Sequence, residues 1–566
     1  MSPEAAYQQA LFHRQAGRLA EAEPLLREVV AARPDHAKAW HQLGLVVLAL
    51  GRPGEAVECI GRAIALNPSD AYPYSDQGVA YAHLGRGEEA VACYERALRL
   101  APELAYAHRN LADTLFSLGR QDEAIASYQR ALALMPNDAA THNNLGNVYL
   151  RQNRLPEAGA CYERATQLDP RLLVAQSNLG DILTKLGRPD AGFTCAQRAL
   201  ALDPNFADGY LNLGAACWQM GRFADAEACS RRAIAMRPDF VDAHVNLGIL
   251  LLLNGRYEEG WREYSWTWHA QSRAARPRKT LAETWDGNPA PGKTILTYAD
   301  QGAGDTIHFL RYVPLLAARA NAARILIECQ PPLLPLLRQW RSAAVEIVAT
   351  GEADKLSEPH DLQIPLLRLP LALGHYPPLP MSAPYLEADA ERRALWRARL
   401  DRAPALRVGL AWAGNPSHTD DRRRSMPVEA LVPLLSVPGV SFVSLQVSPH
   451  SQLPTVIAAT GIHDFVADIQ DFADTAALVA ELDLIITVDT ATAHVAGALG
   501  RPVWVMLAFI ADWRWGLERE DTPWYPTMRL FRQGRAGDWA GVVERIAGAL
   551  RRLSPERSAA AENERV

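Results

Sequence analysis

Small and apolar residues in the first half of the chain recur on a fixed beat. Prolines stand thirty-four residues apart at Pro34, Pro68, Pro102, Pro136, Pro170, Pro204 and Pro238. Glycines keep the same interval at Gly17, Gly51, Gly85, Gly119, Gly187, Gly221 and Gly255, with Asn153 in the one gap. Alanines follow it at Ala63, Ala97, Ala131, Ala165, Ala199 and Ala233. Within one unit, Ala39 to Pro68, two helical patterns flank the Gly51-Arg52 turn, and Pro68 stops the second from continuing. Small residues let paired helices approach closely, so each unit buries its apolar stripe against the next. The pattern predicts an all-α solenoid of about eight helix pairs between residues 4 and 270.

The pattern then changes. Trp261, Tyr264, Trp266 and Trp268 form an aromatic cluster that reads as the capping end of the array docking on the second half of the chain. Residues 271–292 are rich in Pro and Arg and read as a linker. Beyond it, short β-branched runs alternate with helical patterns. Strands are expected at 293–299, 324–328, 345–348 and 362–364, and helices at 306–319 and 331–340. A second block adds the helix 391–400, strands at 407–412 and 441–446, the helix 428–435, and a last strand at 502–507. Between the last two lies the stretch LIITVDTATAHVAGALGRP, Leu484 to Pro502, a buried strand opening at Asp489-Thr490 into an Ala-rich helix that closes near Gly500. Such alternation predicts parallel sheets flanked by helices. We expect an N-terminal half at 293–400, a C-terminal half at 404–550 and a polar, disordered tail at 554–566.

Composition narrows the class. Hydrophobic residues make up 49% of the 566 residues and the formal charge is −6, so charge gives no argument for a nucleic-acid partner. The start of the chain has no apolar signal core, and the longest apolar run in the first half, Leu247 to Leu253, is too short for stable membrane insertion. We therefore expect a cytoplasmic location. Five of the seven cysteines, Cys59, Cys93, Cys161, Cys195 and Cys229, share one repeat position. They read as packing residues, not as a disulfide framework or a metal site.

Trp40, Leu43-Gly44, Ala56, Ala63 and Pro68 fall at the positions that define the tetratricopeptide repeat, which the first half resembles closely. In the second half, QGAGDTIHFLRYVPLL resembles the first-strand loop of the lipopolysaccharide heptosyltransferases, and VDTATAHVAGALGRPVWV resembles that family's donor-site helix. GLAWAGNPSHTDDRRRSMP and DWRWGLEREDTPWYPTMRLFRQ look like a bacterial subset in which this region is fused to tetratricopeptide repeats. The layout is similar to protein O-GlcNAc transferases and bacterial flagellin glycosyltransferases. The resemblance implies a GT-B fold of two Rossmann-like domains, and an inverting, metal-independent glycosyltransferase whose nucleotide-sugar is a substrate, with no cofactor. Neither glycine loop has the full dinucleotide fingerprint or a Walker lysine, so an NAD or ATP enzyme is the poorer reading.

Inverting transfer needs a base for the acceptor hydroxyl, neutralisation of the leaving diphosphate and an oriented sugar. Asp305 matches the base of the heptosyltransferases, although a helix N-cap explains an Asp there equally well. His308, one turn on, is a second proton-handling candidate. Asn415, Arg422, Arg424 and Ser425 follow a strand, and arginine forks there would neutralise phosphate, where heptosyltransferases place lysine. Thr490 and the helix start at Ala491 would complete the diphosphate site. Asp489 would accept from sugar or ribose hydroxyls, His494 would bond a phosphate or buttress the turn, and Gln446 would touch the nucleotide. Asp512, Trp513, Trp515, Trp524 and Tyr525 read as a structural segment. Asn110, Asn144, Asn178, Asn212 and Asn246 recur every thirty-four residues on the first helices of five units, and such an amide ladder can pair with peptide backbone, although Asn is also common at this position in tetratricopeptide repeats with unrelated roles. A similar ladder holds protein substrates in the O-GlcNAc transferases. These features imply a protein acceptor recruited by the repeats, flagellin or another surface protein among the candidates. The alternatives are a glycan or lipid-linked acceptor with the repeats as a partner-binding module, and a non-catalytic scaffold.

Overall fold

A computed structural model describes residues 1–269, 282–353, 360–377, 384–400, 406–416, 421–447 and 461–563. Of the linker expected at 271–292, residues 271–281 lie outside them, and the rest is not simply a linker, because Glu283–Thr284 forms a strand paired with Leu362–Gln363. The chain divides into two compact units, Met1–Met236 and Arg237–Val566. The first is helical throughout, from Pro3–Gln15 to Phe223–Met236, in helices that alternate between 13 and 14 residues. Each pair turns at the residue of the glycine beat, with φ between +71° and +79° at Gly51, Gly85 and Gly119. Asn153 takes the same left-handed conformation at φ 57°, which Asn tolerates better than most side chains. Across each pair the first helix presents a small residue to the second. A Cβ on Gly78 would meet the ring of Tyr94, and one on Gly146 the ring of Tyr162. Both rings are buried, so the small positions are holes filled by large knobs. Cys59, Cys195 and Cys229 are buried in this packing, with their thiols pushed up by burial.

The second unit begins with the helix pair Val241–Leu253 and Tyr257–Tyr264, so the last pair of the repeat pattern belongs with the α/β part of the chain. Trp261 has no exposed surface and meets Phe309 and Trp513 edge-on, with ring centroids 5.7 and 5.3 Å apart. Two wholly parallel sheets follow. The first orders its strands β1 (Glu283–Thr284), β5 (Leu362–Pro365), β2 (Thr294–Tyr298), β3 (Arg324–Cys329) and β4 (Val345–Ala349). The second orders β11 (Met528–Arg532), β10 (Val503–Leu507), β9 (Leu484–Val488), β6 (Leu406–Ala411), β7 (Val440–Ser444) and β8 (His463–Asp464). Val408, Leu410, Ile486, Val488 and Met506 form a core with Val542, Ile546 and Leu550 of the helix Trp539–Asn563. Strands buried on both faces read as continuous apolar runs, which is why β9 and β10 are legible in the sequence.

Three expectations change. The helix expected from residue 306 begins at Ala303, with Gly302 at its N-cap and no side-chain cap, so Asp305 sits inside the first turn and is not the cap. That helix is also broken, passing through a 3₁₀ turn at Leu310–Tyr312 before Val313–Ala320. The strand at 503–507 is not the last: β11 pairs with it in register from Val503↔Met528 to Leu507↔Arg532. At the far end the helix Trp539–Asn563 runs through most of the stretch expected as a disordered tail.

Candidate functional site

In an open parallel sheet the loops after the strands converge at the carboxyl edge, where ligands bind. The second unit has two such edges, and the helix Ala303–Phe309, after β2, packs directly on the helix Ala491–Ala498, after β9. The approach is close because Gly304 lacks a side chain. A Cβ there would stand 2.9 Å from His494 Cδ2 and 3.4 Å from the Ala491 Cα.

Charged groups from both edges meet beside this contact. Arg514 follows β10 in the turn Trp513–Trp515 and is only 6% exposed. It forms an ion pair with Asp305, and its Nη1 donates to Asp512 Oδ1 at 2.8 Å. Burial works against its charge, but Asp512 and Asp305 outweigh that and raise its pKa. Asp489 also faces Arg514. Burial first, then Asp512, push its carboxyl up to about 6, against the opposing pull of Trp515, Arg424 and Arg514. Asp300, at the end of β2, is likewise pushed up to about 6 by burial, while Trp268 Nε1 donates to its Oδ2 at 3.4 Å. Carboxylates and arginines thus share one half-buried location, an arrangement able to take a proton from a hydroxyl and to neutralise an anion.

A second network lies just behind. The Tyr525 hydroxyl contacts His494 Nδ1 at 2.9 Å, His308 Nδ1 at 3.2 Å and the Tyr385 hydroxyl at 3.3 Å. Tyr385 donates to the Ile307 carbonyl at 3.0 Å and accepts from Arg311 Nη2 at 3.2 Å. Arg311 also donates to the carbonyls of His308 (2.8 Å) and Trp524 (2.6 Å). Burial, with Arg311 and Arg514 nearby, holds both histidines well below the usual imidazole range, so both rings are neutral near pH 7.

The residues nominated from sequence separate into groups. Asp305, Asp489, Thr490, Ala491 and His494 come together at the meeting of the two helices. Thr490 is the N-cap residue of Ala491–Ala498, and its hydroxyl meets that of Thr487 at 3.1 Å. His308 is fully buried, with its Nδ1 facing the Tyr525 hydroxyl and its ring edge-on to that of His494 at 5.4 Å. Arg424 acts on Asp489 from the loop after β6, while Arg422 is exposed and Asn415 lies on the exposed part of that loop. Ser425 accepts from Gly414 N and donates to Asp421 Oδ1, both at 2.9 Å, which shapes the loop. Gln446 is 8% exposed and is spent on the same loop. Its Oε1 accepts from Trp412 N and Ala413 N, and its Nε2 donates to the Ala413 carbonyl. A buried amide bonded at both ends in this way shapes the loop.

The repeat asparagines bond along the array. Asn144 donates to Asp113 at 3.0 Å, Asn178 to Asn143 and Asn147 at 3.0 and 3.2 Å, and Asn212 to Ser177 Oγ at 2.8 Å. Each of these bonds ties one repeat to the one before. Asn110 lies half-buried in the first unit, and Asn246 half-buried in the second.

Arg514 and Tyr525 are the residues whose part in the site the sequence does not announce. Their segment stands out for its aromatics, and Trp513, Trp515, Trp524 and Tyr525 are indeed buried. The signal for Arg514 is an arginine flanked by two tryptophans and preceded by Asp512, a charge that apolar neighbours would bury.

Tetratricopeptide-repeat models match residues 7–71, 41–105, 112–153, 139–172 and 171–239. Among curated proteins, Protein FlbA of Caulobacter vibrioides is 28% identical over 325 residues, 53% of each chain. The chain thus spans about half the length of that relative. Among solved structures, the tetratricopeptide-repeat protein YrrB is 24% identical over 33% of this chain and 96% of its own, with a TM-score of 0.30. PilF of Pseudomonas aeruginosa is 20% identical over 38% and 96%, with a TM-score of 0.34. The period of thirty-four residues, the helix pairs and the matched models agree: the N-terminal half of this chain is an array of tetratricopeptide repeats.

Proposed function

We propose that this protein is a glycosyltransferase of GT-B architecture, moving a sugar from a nucleotide-sugar donor to a hydroxyl of a protein acceptor recruited by the repeats. The observation that carries the proposal is the ion pair between Asp305, after β2 of one sheet, and Arg514, after β10 of the other, with Asp489 facing the same guanidinium. Asp305 is the base that takes the acceptor proton. Arg514 and Arg424, with the start of the helix Ala491–Ala498, neutralise the leaving diphosphate without a metal. Asp489 accepts from donor hydroxyls. The repeats supply the protein-binding surface, since such arrays bind protein partners along their length.

The test is a thermal-shift panel of UDP-, GDP-, ADP-, dTDP- and CMP-linked sugars on the full chain, with Asp489→Ala beside it. One donor should stabilise the parent selectively, by about 2.7 kcal/mol at a hundredfold excess over Kd, and the variant should lose that response. No response to any donor would favour the second reading, a protein-binding scaffold, which the repeat array supports independently.

A further inference from the structure

We infer that Tyr525 fixes the tautomer of His494, so that His494 offers an Nε2–H donor, not a basic nitrogen, to a phosphate oxygen of the bound donor. The choice of ligand rests on the transferase reading; the proton assignment does not.

The argument is a count of protons. Both histidines are neutral, so each ring carries one N–H, on Nδ1 or on Nε2. Both Nδ1 atoms face one phenol, which has a single proton to give. Tyr385 cannot supply another, because its hydroxyl donates to the Ile307 carbonyl. If Tyr525 donates to His308, then His308 must carry its proton on Nε2. That nitrogen is buried with no hydrogen-bond partner among the described residues, in a ring packed against Phe309 and Trp524 at 4.8 and 4.6 Å. A buried N–H with nothing to bond is among the rarest and costliest groups in a protein, more so than an idle lone pair. The proton therefore sits on His308 Nδ1 and is donated to the Tyr525 oxygen. Tyr525 in turn donates to His494 Nδ1, its shortest contact at 2.9 Å, rather than to the Tyr385 oxygen at 3.3 Å. His494 is left with its proton on Nε2, beside Gly304 and Ala491 at the start of the helix Ala491–Ala498.

The consequence is a division of labour. His494 cannot act as the base near neutral pH, because its Nε2 is already protonated and its Nδ1 is held by Tyr525, and Asp305 keeps that task. Tyr525 is a positioning residue, and His308 is the partner that directs its proton.

The test is long-range nitrogen–proton correlation NMR on the full chain with ¹⁵N-labelled histidine, His494 being assigned through His494→Gln. The expected pattern is a protonated Nε2 and a bare Nδ1. Tyr525→Phe should turn His494 into a tautomer mixture, with its two nitrogen shifts moving toward each other, while Tyr385→Phe should leave them unchanged. Inorganic pyrophosphate should then shift the Nε2 resonance of the parent. A parent His494 protonated on Nδ1, or a Tyr525→Phe spectrum identical to the parent's, overturns the assignment. A protonated Nε2 that ignores pyrophosphate would instead overturn the donor-site reading and leave the proton assignment standing.

Discussion

Gly304 and His494 stand as close as the lack of a side chain allows, and their contact joins the helix after β2 to the helix after β9. A methyl group on Gly304 would lie 2.9 Å from the imidazole, closer than carbon atoms rest against one another. Gly304→Ala should therefore destabilise the second unit by about 1–3 kcal/mol, as overpacking does. Chemical denaturation of the parent and variant chains measures it, and an unchanged midpoint would show that the two helices can part at no cost.

Arg514 holds two carboxylates from different loops. Arg514→Met keeps the bulk of the stem but leaves Asp305 and Asp512 facing an apolar side chain. The expected loss is about 3 kcal/mol of stability, typical of breaking a buried pair from one side. Adding Asp512→Asn should restore part of it, and a double-mutant cycle by urea unfolding reads out that coupling.

Asp489 should couple stability to pH. Its folded pKa, near 6, lies above the ordinary carboxyl value of 3.8, so the folded state binds its proton more tightly than the unfolded chain. This contribution is fully present below about pH 4 and is lost as the pH rises through about 6. Asp489→Asn keeps the shape and removes the titration. The variant should melt higher than the parent at pH 7.5 and close to level with it at pH 3.5, and scanning calorimetry at the two values decides it.

Asp305→Asn tests the proposed base. With a donor and acceptor identified, the variant should lose about 10²–10⁴-fold in kcat while still responding to the donor in a thermal shift. Undiminished turnover would remove Asp305 from that role.

The asparagine ladder makes two separable claims. Asn178→Ala removes two hydrogen bonds to the preceding repeat, which should cost about 1–3 kcal/mol in urea unfolding. Replacing Asn110, Asn144, Asn178, Asn212 and Asn246 together should also weaken binding of the acceptor protein. Unchanged acceptor affinity alongside a loss of stability would confine the amides to stitching the array.

The sequence by itself determined the elements whose periodicity is enforced at short range. The beat of thirty-four residues is written in turn glycines, helix-stopping prolines and small contact residues, each needed by local geometry whatever lies beyond. Strands β2, β3, β9 and β10 are legible because burial on both faces demands unbroken apolar runs. That Asp305, Asp489 and His494 lie where a parallel strand passes into the following helix was legible from the strand-to-helix pattern alone. The tertiary structure alone decided which groups from distant loops meet. Asp305 and Arg514 are separated by more than two hundred residues, and Tyr525 reaches two histidines from different halves of the unit. No local pattern encodes such a meeting, because it depends on how two sheets and their loops pack. The same holds for Gln446 and Ser425, polar residues after strands that the fold turns inward to shape a loop. A residue type and its place in a strand–loop unit fix what it is able to do, and the packing around it selects which partner it does it with.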